Sequence, residues 1–285
     1  MSETTSPRAL VVGLGVSGVA ACELLVRQGY RVRGNDGAPA AQLARLGELP
    51  AEVEILLGGH PLGLLEGVAL VVVSPGVPWD LPLLVAARAR GIEVIAEVEL
   101  AFRALPAVRL AGVTGSNGKT TTTALLGEIL TAAGWRTGVG GNIGVAASTL
   151  ALAGGWDALV LELSSFQLEG CTRLRPWVGL LLNLSPDHLD RHPTFADYRA
   201  SKARLFAAQQ AGDFAVLNAD DLELQSLETP SQIVRFSLTD TRAEAHLAGG
   251  TLVLDGEPLL PRDELPLLGD HNAANALAAA LGAAR

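Results

Sequence analysis

The sequence predicts an α/β protein of two domains, each a largely parallel sheet covered by helices, and three observations predict it. Short strands apolar along their whole length alternate with helical segments, the pattern of a parallel sheet buried on both faces. The alternation breaks once, near Leu105–Ala107, where Pro106 interrupts the helix that starts near Glu97, and then begins again. Each half also opens on a strand, a glycine-rich loop and a helix. A chain of 285 residues suits two domains at ~150 residues apiece. The expected division is 1–106 and 107–285.

The elements follow in order. Leu10–Val12 reads as a strand, Ser17–Gln28 as a helix and Arg31–Gly34 as a strand. Val53–Leu57 and Val68–Val73 are further buried strands, Leu81–Arg90 a helix, and Ile92–Ile95 closes the first set. Beyond the seam come a strand at Val108–Val113, a helix at Gly118–Ala133, strands at Ala158–Leu163 and Trp177–Leu182, and a helix at Phe195–Ala208. Phe214–Asn218 and Ile233–Phe236 add strands. Ala245–Ala248 and Thr251–Leu254, joined by Gly249-Gly250, read as a hairpin, and a last helix runs from His271.

Composition excludes several classes. Hydrophobic residues make up 49% and charged residues 18%, so the chain has a sizeable core. A net charge of −9 argues against sequence-independent binding to nucleic acid or anionic lipid. No apolar run approaches the ~20 residues that span a bilayer. The polar start MSETTSPR carries no apolar signal core, so a cytoplasmic location is expected. Cys22 and Cys171 make no disulfide framework, and Cys22 falls in a small-residue helix pattern that suits a buried apolar role. Of 21 basic residues only Lys119 and Lys202 are lysines; the other 19 are arginines. Two positions that keep a primary amine invite a chemical explanation.

Gly13-Leu14-Gly15-Val16-Ser17-Gly18 is a GxGxxG between a strand and a helix, which makes the first domain Rossmann-like. Its glycines allow a tight turn and bring backbone amides towards a pyrophosphate at the positive end of the helix. Asp36 ends the second strand, where an acidic side chain can accept from a ribose or a base. The motif suits NAD, FAD or a nucleotide-sugar diphosphate equally, or a tight turn without ligand. Thr114-Gly115-Ser116-Asn117-Gly118-Lys119-Thr120-Thr121 is a P-loop between a strand and a helix. Strict spacing would put a glycine at Val113, and Gly112 stands one residue earlier. Gly115 and Gly118 expose amides, Lys119 reaches β- and γ-phosphate oxygens, and Thr120 offers a hydroxyl to Mg²⁺. The second domain is therefore a P-loop ATPase α/β domain.

Glu162 closes the next apolar strand, where a Mg²⁺ ligand is expected beside a P-loop. Asn183–His192 follows another strand at the same edge, and His188 there suits a metal ligand, a ribose contact or a solvated loop residue. Lys202, on the following helix, is by position alone a surface lysine.

TGSNGKTTT at 114–122, GGNIG at 140–144, ELSSFQLE at 162–169, NLSPDHLDRH at 183–192 and HNAANALAA at 271–279 occur in one order. Together they resemble the Mur ligases of peptidoglycan synthesis, over essentially the whole chain. GLGVSGVA at 13–20 and SPGVP at 74–78 resemble the branch that adds D-glutamate to UDP-N-acetylmuramoyl-L-alanine. The resemblance implies that ATP phosphorylates a carboxylate and that the D-glutamate amine attacks the acyl phosphate to leave an amide. It implies that Lys119 and Thr120, with Gly115–Gly118 and Thr121, hold ATP and one Mg²⁺. Glu162 would ligate that Mg²⁺, and His188 a second. Asn142, Ser164 and Gln167 would contact the muramoyl substrate, and Asn272 and Asn275 the adenine side. Gly15, Val16, Ser17 and Gly18, with Asp36, Ser74, Pro75 and Gly76, would hold the UDP group. Lys202 matches a lysine carbamylated by CO₂, whose anion would hold Mg²⁺ in place.

The family's chains continue into a further domain that supplies most contacts to D-glutamate. The resemblance thus implies that these 285 residues bind substrate and nucleotide as a monomer without completing ligation. Three other readings share the motifs: a folylpolyglutamate-type ligase, which lacks a GxGxxG domain; a nicotinamide-dependent dehydrogenase with an NTPase module; and a nucleotide-sensing module. Carbamylation needs a neutral amine, and arginine stays protonated at any working pH. In a ligase that also carries the further domain, Lys202→Arg is therefore expected to lose most ligation activity, with no recovery in added bicarbonate; near-normal turnover there would refute the assignment.

Overall fold

The computed structural model describes residues 6–105, 108–187 and 191–285. In chain order the elements are β1 (Arg8–Val12), α1 (Val16–Arg27), β2 (Arg31–Asp36), β3 (Glu54–Leu57), β4 (Val68–Val73), α2 (Pro82–Ala89), β5 (Glu93–Ala96) and α3 (Glu97–Ala104). There follow β6 (Arg109–Thr114), α4 (Lys119–Ala132), β7 (Thr137–Gly141), α5 (Ala147–Ala153), β8 (Ala158–Glu162), α6 (Ser165–Glu169), β9 (Val178–Leu181) and α7 (Phe195–Ala203). The last are β10 (Phe214–Asn218), α8 (Leu222–Gln225), β11 (Gln232–Ser237), β12 (Ala245–Ala248), β13 (Thr251–Leu254), β14 (Glu257–Pro261) and α9 (Asp270–Ala283). The α/β class read from the sequence is the class observed. The chain forms two compact units: Met1–Pro106 with Val145–Gly154 and Glu169–Arg173, and Ala107–Gly144 with Gly155–Leu168 and Leu174–Arg285.

The first unit holds a five-stranded sheet, ordered β3-β2-β1-β4-β5 and parallel throughout. Side chains alternate across it. Ala9 and Val11 of β1 join Leu24, Leu25 and Leu100 in one core, while Leu10 and Val12 join Leu83, Leu84 and Ala87 in another. The strand order reverses at β1, so the loops after β1 and β4 flank the crevice where doubly wound sheets take ligands. Cys22 is buried in the first core, and burial pushes its thiol up to about 12. Ser148 of α5 donates its backbone N–H to the buried Glu97 at 2.6 Å, and burial raises that carboxyl.

The second unit holds a nine-stranded sheet, ordered β14-β13-β12-β11-β10-β9-β6-β8-β7. Strands β6 to β12 pair in parallel, and β13 and β14 add antiparallel at the edge. Val113, Leu126, Val160, Leu180, Phe236, Leu277 and Leu281 form its core, with α4 and α9 on that face. Five elements lie outside the sequence reading: β7, β14 and the short helices α5, α6 and α8. β7 is TGVGG, three glycines in five residues, and β14 is EPLLP, an edge strand holding two prolines. α5 is a short alanine-rich helix without a capping side chain.

Leu126 of α4 is fully buried. Leu126→Ala is expected to cost about 2–5 kcal/mol, read as a lower urea midpoint for the second unit.

Candidate functional site

The carboxyl ends of β6, β7, β8 and β9 share one edge of the second sheet, because these strands run parallel. β6 leads into the loop Gly115–Gly118, and α4 starts at Lys119. Gly118 has φ +82°, a conformation that favours glycine, and a Cβ there would overlap Asn275 Oδ1 from α9. The N-cap of α4 is this glycine, with no side chain bonded to the helix end, so the first-turn amides remain for a ligand.

Glu162 is buried at the end of β8. Its Oε2 accepts from the Thr120 hydroxyl at 2.7 Å and its Oε1 from the Asn142 side chain at 2.9 Å. The Lys119 ammonium folds back on the loop and donates to the carbonyls of Gly115 and Ser116 at 2.9 and 2.8 Å. Burial lowers its pKa, opposed by the carboxylates of Glu162 and Asp187. Lys202 is 2% exposed, so the surface position that sequence alone gave it does not hold. Its Nζ donates to Gly115 O at 2.9 Å and to Thr114 Oγ1 at 3.4 Å, and it lies 4.7 Å from the Tyr198 ring centre. Burial foremost, then the charge of Lys119, brings its pKa down to about 7.

Asn183, Ser185 and Tyr198 join the residues singled out from sequence in this site. Asn183 accepts from Asn117 N–H at 2.8 Å and donates back to Asn117 O at 3.0 Å. The Ser116 and Tyr198 hydroxyls lie 3.0 Å apart, and Ser116 also pairs with the Ser185 backbone. Ser164 bonds Gln167 Oε1 through both its N–H and its hydroxyl, at 3.0 Å each. The Asn275 side chain donates to Asn272 Oδ1 at 3.2 Å. His188 lies outside the described residues.

In the first unit, Gly13 has φ +91°, and a Cβ there would stand 2.8 Å from Ser74 Cβ. A Cβ on Gly18 would overlap the Gly13 carbonyl oxygen. Ser74 Oγ donates to that carbonyl at 2.8 Å, which ties the two loops together. The Asp36 carboxylate accepts from Leu14 N–H at 2.8 Å and Ala38 N–H at 2.9 Å, so it already braces the glycine turn. Gly15 and Val16 are exposed at the start of α1, and Pro75 and Gly76 follow Ser74 in the facing loop.

Two family models match this arrangement: the Mur ligase middle domain over residues 113–283, and the Mur ligase MurD-like N-terminal domain over residues 7–96. The chain belongs to the Mur ligase family. This Mur ligase chain is 48% identical over 294 residues to the UDP-N-acetylmuramoylalanine–D-glutamate ligase of Myxococcus xanthus, covering 96% of the chain and 63% of that protein. It is 46% identical to the enzyme of the same name from Solibacter usitatus, covering 98% and 63%. The chain thus spans about 63% of the length of these relatives. Its fold is similar to that of a Neisseria meningitides UDP-N-acetylmuramate:L-alanyl-gamma-D-glutamyl-meso-diaminopimelate ligase, with TM-score 0.66, 20% identity, and 98% and 94% of the two chains covered. The UDP-N-acetylmuramate-alanine ligase of Thermotoga maritima has TM-score 0.56 at 22% identity, covering 95% and 63%. Among the described residues of this Mur ligase chain, no helix is long and apolar enough to cross a membrane.

The buried Lys202 amine couples stability to pH. Its pKa is about 7 in the folded chain against an ordinary 10.5. Between those values the unfolded chain holds a proton that the folded chain lacks, so stability rises with pH across the window. Lys202→Met removes that slope. In CO₂-free buffer its stability relative to the parent chain is expected to be greatest at pH 7 and to shrink steadily towards pH 10. A pH-independent difference would contradict the buried neutral amine.

Proposed function

We propose that this chain binds UDP-N-acetylmuramoyl-L-alanine in its first unit and ATP with Mg²⁺ in its second, as part of an ATP-dependent ligase that adds D-glutamate through an acyl phosphate. The observation that carries the reading is the meeting of Lys119 and Lys202 on the Gly115 carbonyl, beside the Thr120–Glu162 pair. The first-unit assignment rests on the glycine turn braced by Asp36 and Ser74, together with the relatives' names.

The residues suit the groups implied. Thr120 and Glu162 offer oxygen donors 2.7 Å apart, the hard-ligand chemistry of Mg²⁺. Among the described residues no three His, Cys, Asp or Glu side chains converge, so a cation there would complete its shell from phosphate and water. His188 is the proposed ligand of a second cation. A bound Mg²⁺ would neutralise phosphate charge. The chain's own groups do the positioning: Gly118 and the first turn of α4 present amides, and Lys119 turns from the loop carbonyls to phosphate oxygens. Asn142 orients the Glu162 carboxylate while Ser164 and Gln167, locked to each other, present a polar face to the muramoyl group. Asn272 and Asn275 are the proposed contacts on the adenine side. Lys202, its pKa brought down to about 7 by burial, holds a far larger neutral fraction at neutral pH than an unperturbed lysine and so is open to CO₂.

Thermal-shift titration tests this. UDP-N-acetylmuramoyl-L-alanine and ATP–Mg²⁺ are each expected to raise the melting temperature, and NADH to leave it unchanged. A shift with NADH and none with the UDP-linked sugar would overturn the reading in favour of a dehydrogenase.

A further inference from the structure

Glycine in the interior of a central strand costs about 0.5–1 kcal/mol and usually marks a close approach by something else. The second sheet has two such glycines side by side. Gly112 of β6 and Gly179 of β9 are register partners, and each is in ordinary extended backbone rather than a positive φ. Space, not conformation, is what excludes a side chain there. A Cβ on Gly112 would stand 2.8 Å from Leu205 Cδ1, and one on Gly179 would stand 2.8 Å from Phe206 Cε1 and 3.4 Å from Leu205 Cδ2. Leu205 and Phe206 are both buried.

These two side chains stand three and four residues beyond Lys202, in a helical turn, Arg204–Phe206, that continues α7. At the other end of α7, Thr194 and Asp197 form a reciprocal capping box that fixes where the helix begins. The rod that carries Lys202 is therefore held at its start by a cap and at its end by the glycine step. The same strand, β6, ends at Thr114, and Thr114 Oγ1 and Gly115 O are the acceptors for Lys202. β6 thus carries one half of the seat and leads directly into the target.

We infer that Gly112 and Gly179 form a seat for Leu205 and Phe206 that sets the depth at which the Lys202 amine meets the P-loop. Gly112 is then a positioning residue that acts through Leu205. It also accounts for the glycine standing one place earlier than the usual P-loop spacing: position 112 faces Leu205, whereas Val113 belongs to the opposite core. A methyl at 112 or 179 displaces the turn by roughly 0.5–1 Å before ordinary contact is regained. That exceeds the ~0.5 Å tolerance of a preorganised site.

The inference rests on the proposed CO₂ chemistry of Lys202, and its test separates the two ideas. In ¹³C-bicarbonate, the carbamate carbonyl resonance is measured by NMR for the 285-residue chain and for Gly112→Ala, Gly179→Ala and Gly112→Ala/Leu205→Val. The chain has only two lysines, so cyanate labelling followed by mass spectrometry reads Lys202 against Lys119 as an internal reference. Each alanine variant is expected to lose the carbamate signal about tenfold and to raise the Lys202-to-Lys119 labelling ratio about threefold or more. Gly112→Ala/Leu205→Val, which removes the shortest contact and leaves those to Leu163 Cδ1 at 3.2 Å and Pro176 Cγ at 3.3 Å, is expected to restore both to within about twofold. UDP affinity is expected to stay unchanged, as the proposed UDP contacts are all in the first unit. Folded alanine variants with parental signal and ratio overturn the seat, as does a folded double variant that recovers neither. If the alanine variants do not fold, Leu205→Val alone carries the test: it loosens the seat without a clash, and a parental labelling ratio in it overturns the inference. Absence of the carbamate signal from the parent chain refutes the CO₂ reading of Lys202, while the labelling ratio still decides the seat.

Discussion

The carbonyl oxygen of Gly115 accepts from both lysines of the chain, and the second unit is organised around that shared acceptor. Two ammonium groups drawn to one oxygen repel each other, and burial raises the cost of keeping both charged. The conflict falls on Lys202, the more deeply buried of the two, whose pKa drops furthest. Glu162 and Asp187 supply the opposing charge that keeps both amines in place. The arrangement needs β6, β8 and β9 adjacent and parallel, since each contributes its carboxyl end to the same few ångströms.

Around that point the polar groups form a connected mesh. Asn183 clamps the loop at Asn117, Ser116 bridges to Ser185 and Tyr198, and Thr114 links Leu163 to Lys202. A P-loop is a run of backbone with few side chains of its own, so its shape depends on such outside partners. The first unit solves the same problem with fewer groups, using Asp36 and Ser74 to brace a turn whose Gly13 and Gly18 leave no room for a Cβ.

Local signals made most of this legible from sequence. Val68–Val73, Phe214–Asn218 and the hairpin of β12 and β13 have the boundaries their apolar runs and turn glycines indicate. Lys119 and Thr120 follow from the loop pattern, and Glu162 from its place at a strand end. β7 and β14 escaped because glycine and proline erase the alternation that marks a strand, and their pairing comes from the sheet rather than from their own preference. The bond between Tyr198 and Ser116 spans 82 positions and that between Asn183 and Asn117 spans 66. Such pairings depend on the strand order, which no local window contains. The burial of Lys202 was hidden for the same reason: its helix reads as solvated until Leu205 and Phe206 are placed on the sheet.

The proline pair in β14 lies on the rim of the second sheet. This strand is the outermost of nine and is largely exposed along its length, which makes it the natural place for a stranger's strand to add. Pro258 and Pro261 have no N–H to offer, so the rim presents an interrupted row of donors to any incoming chain. At this border the missing donors disfavour the addition of a further strand.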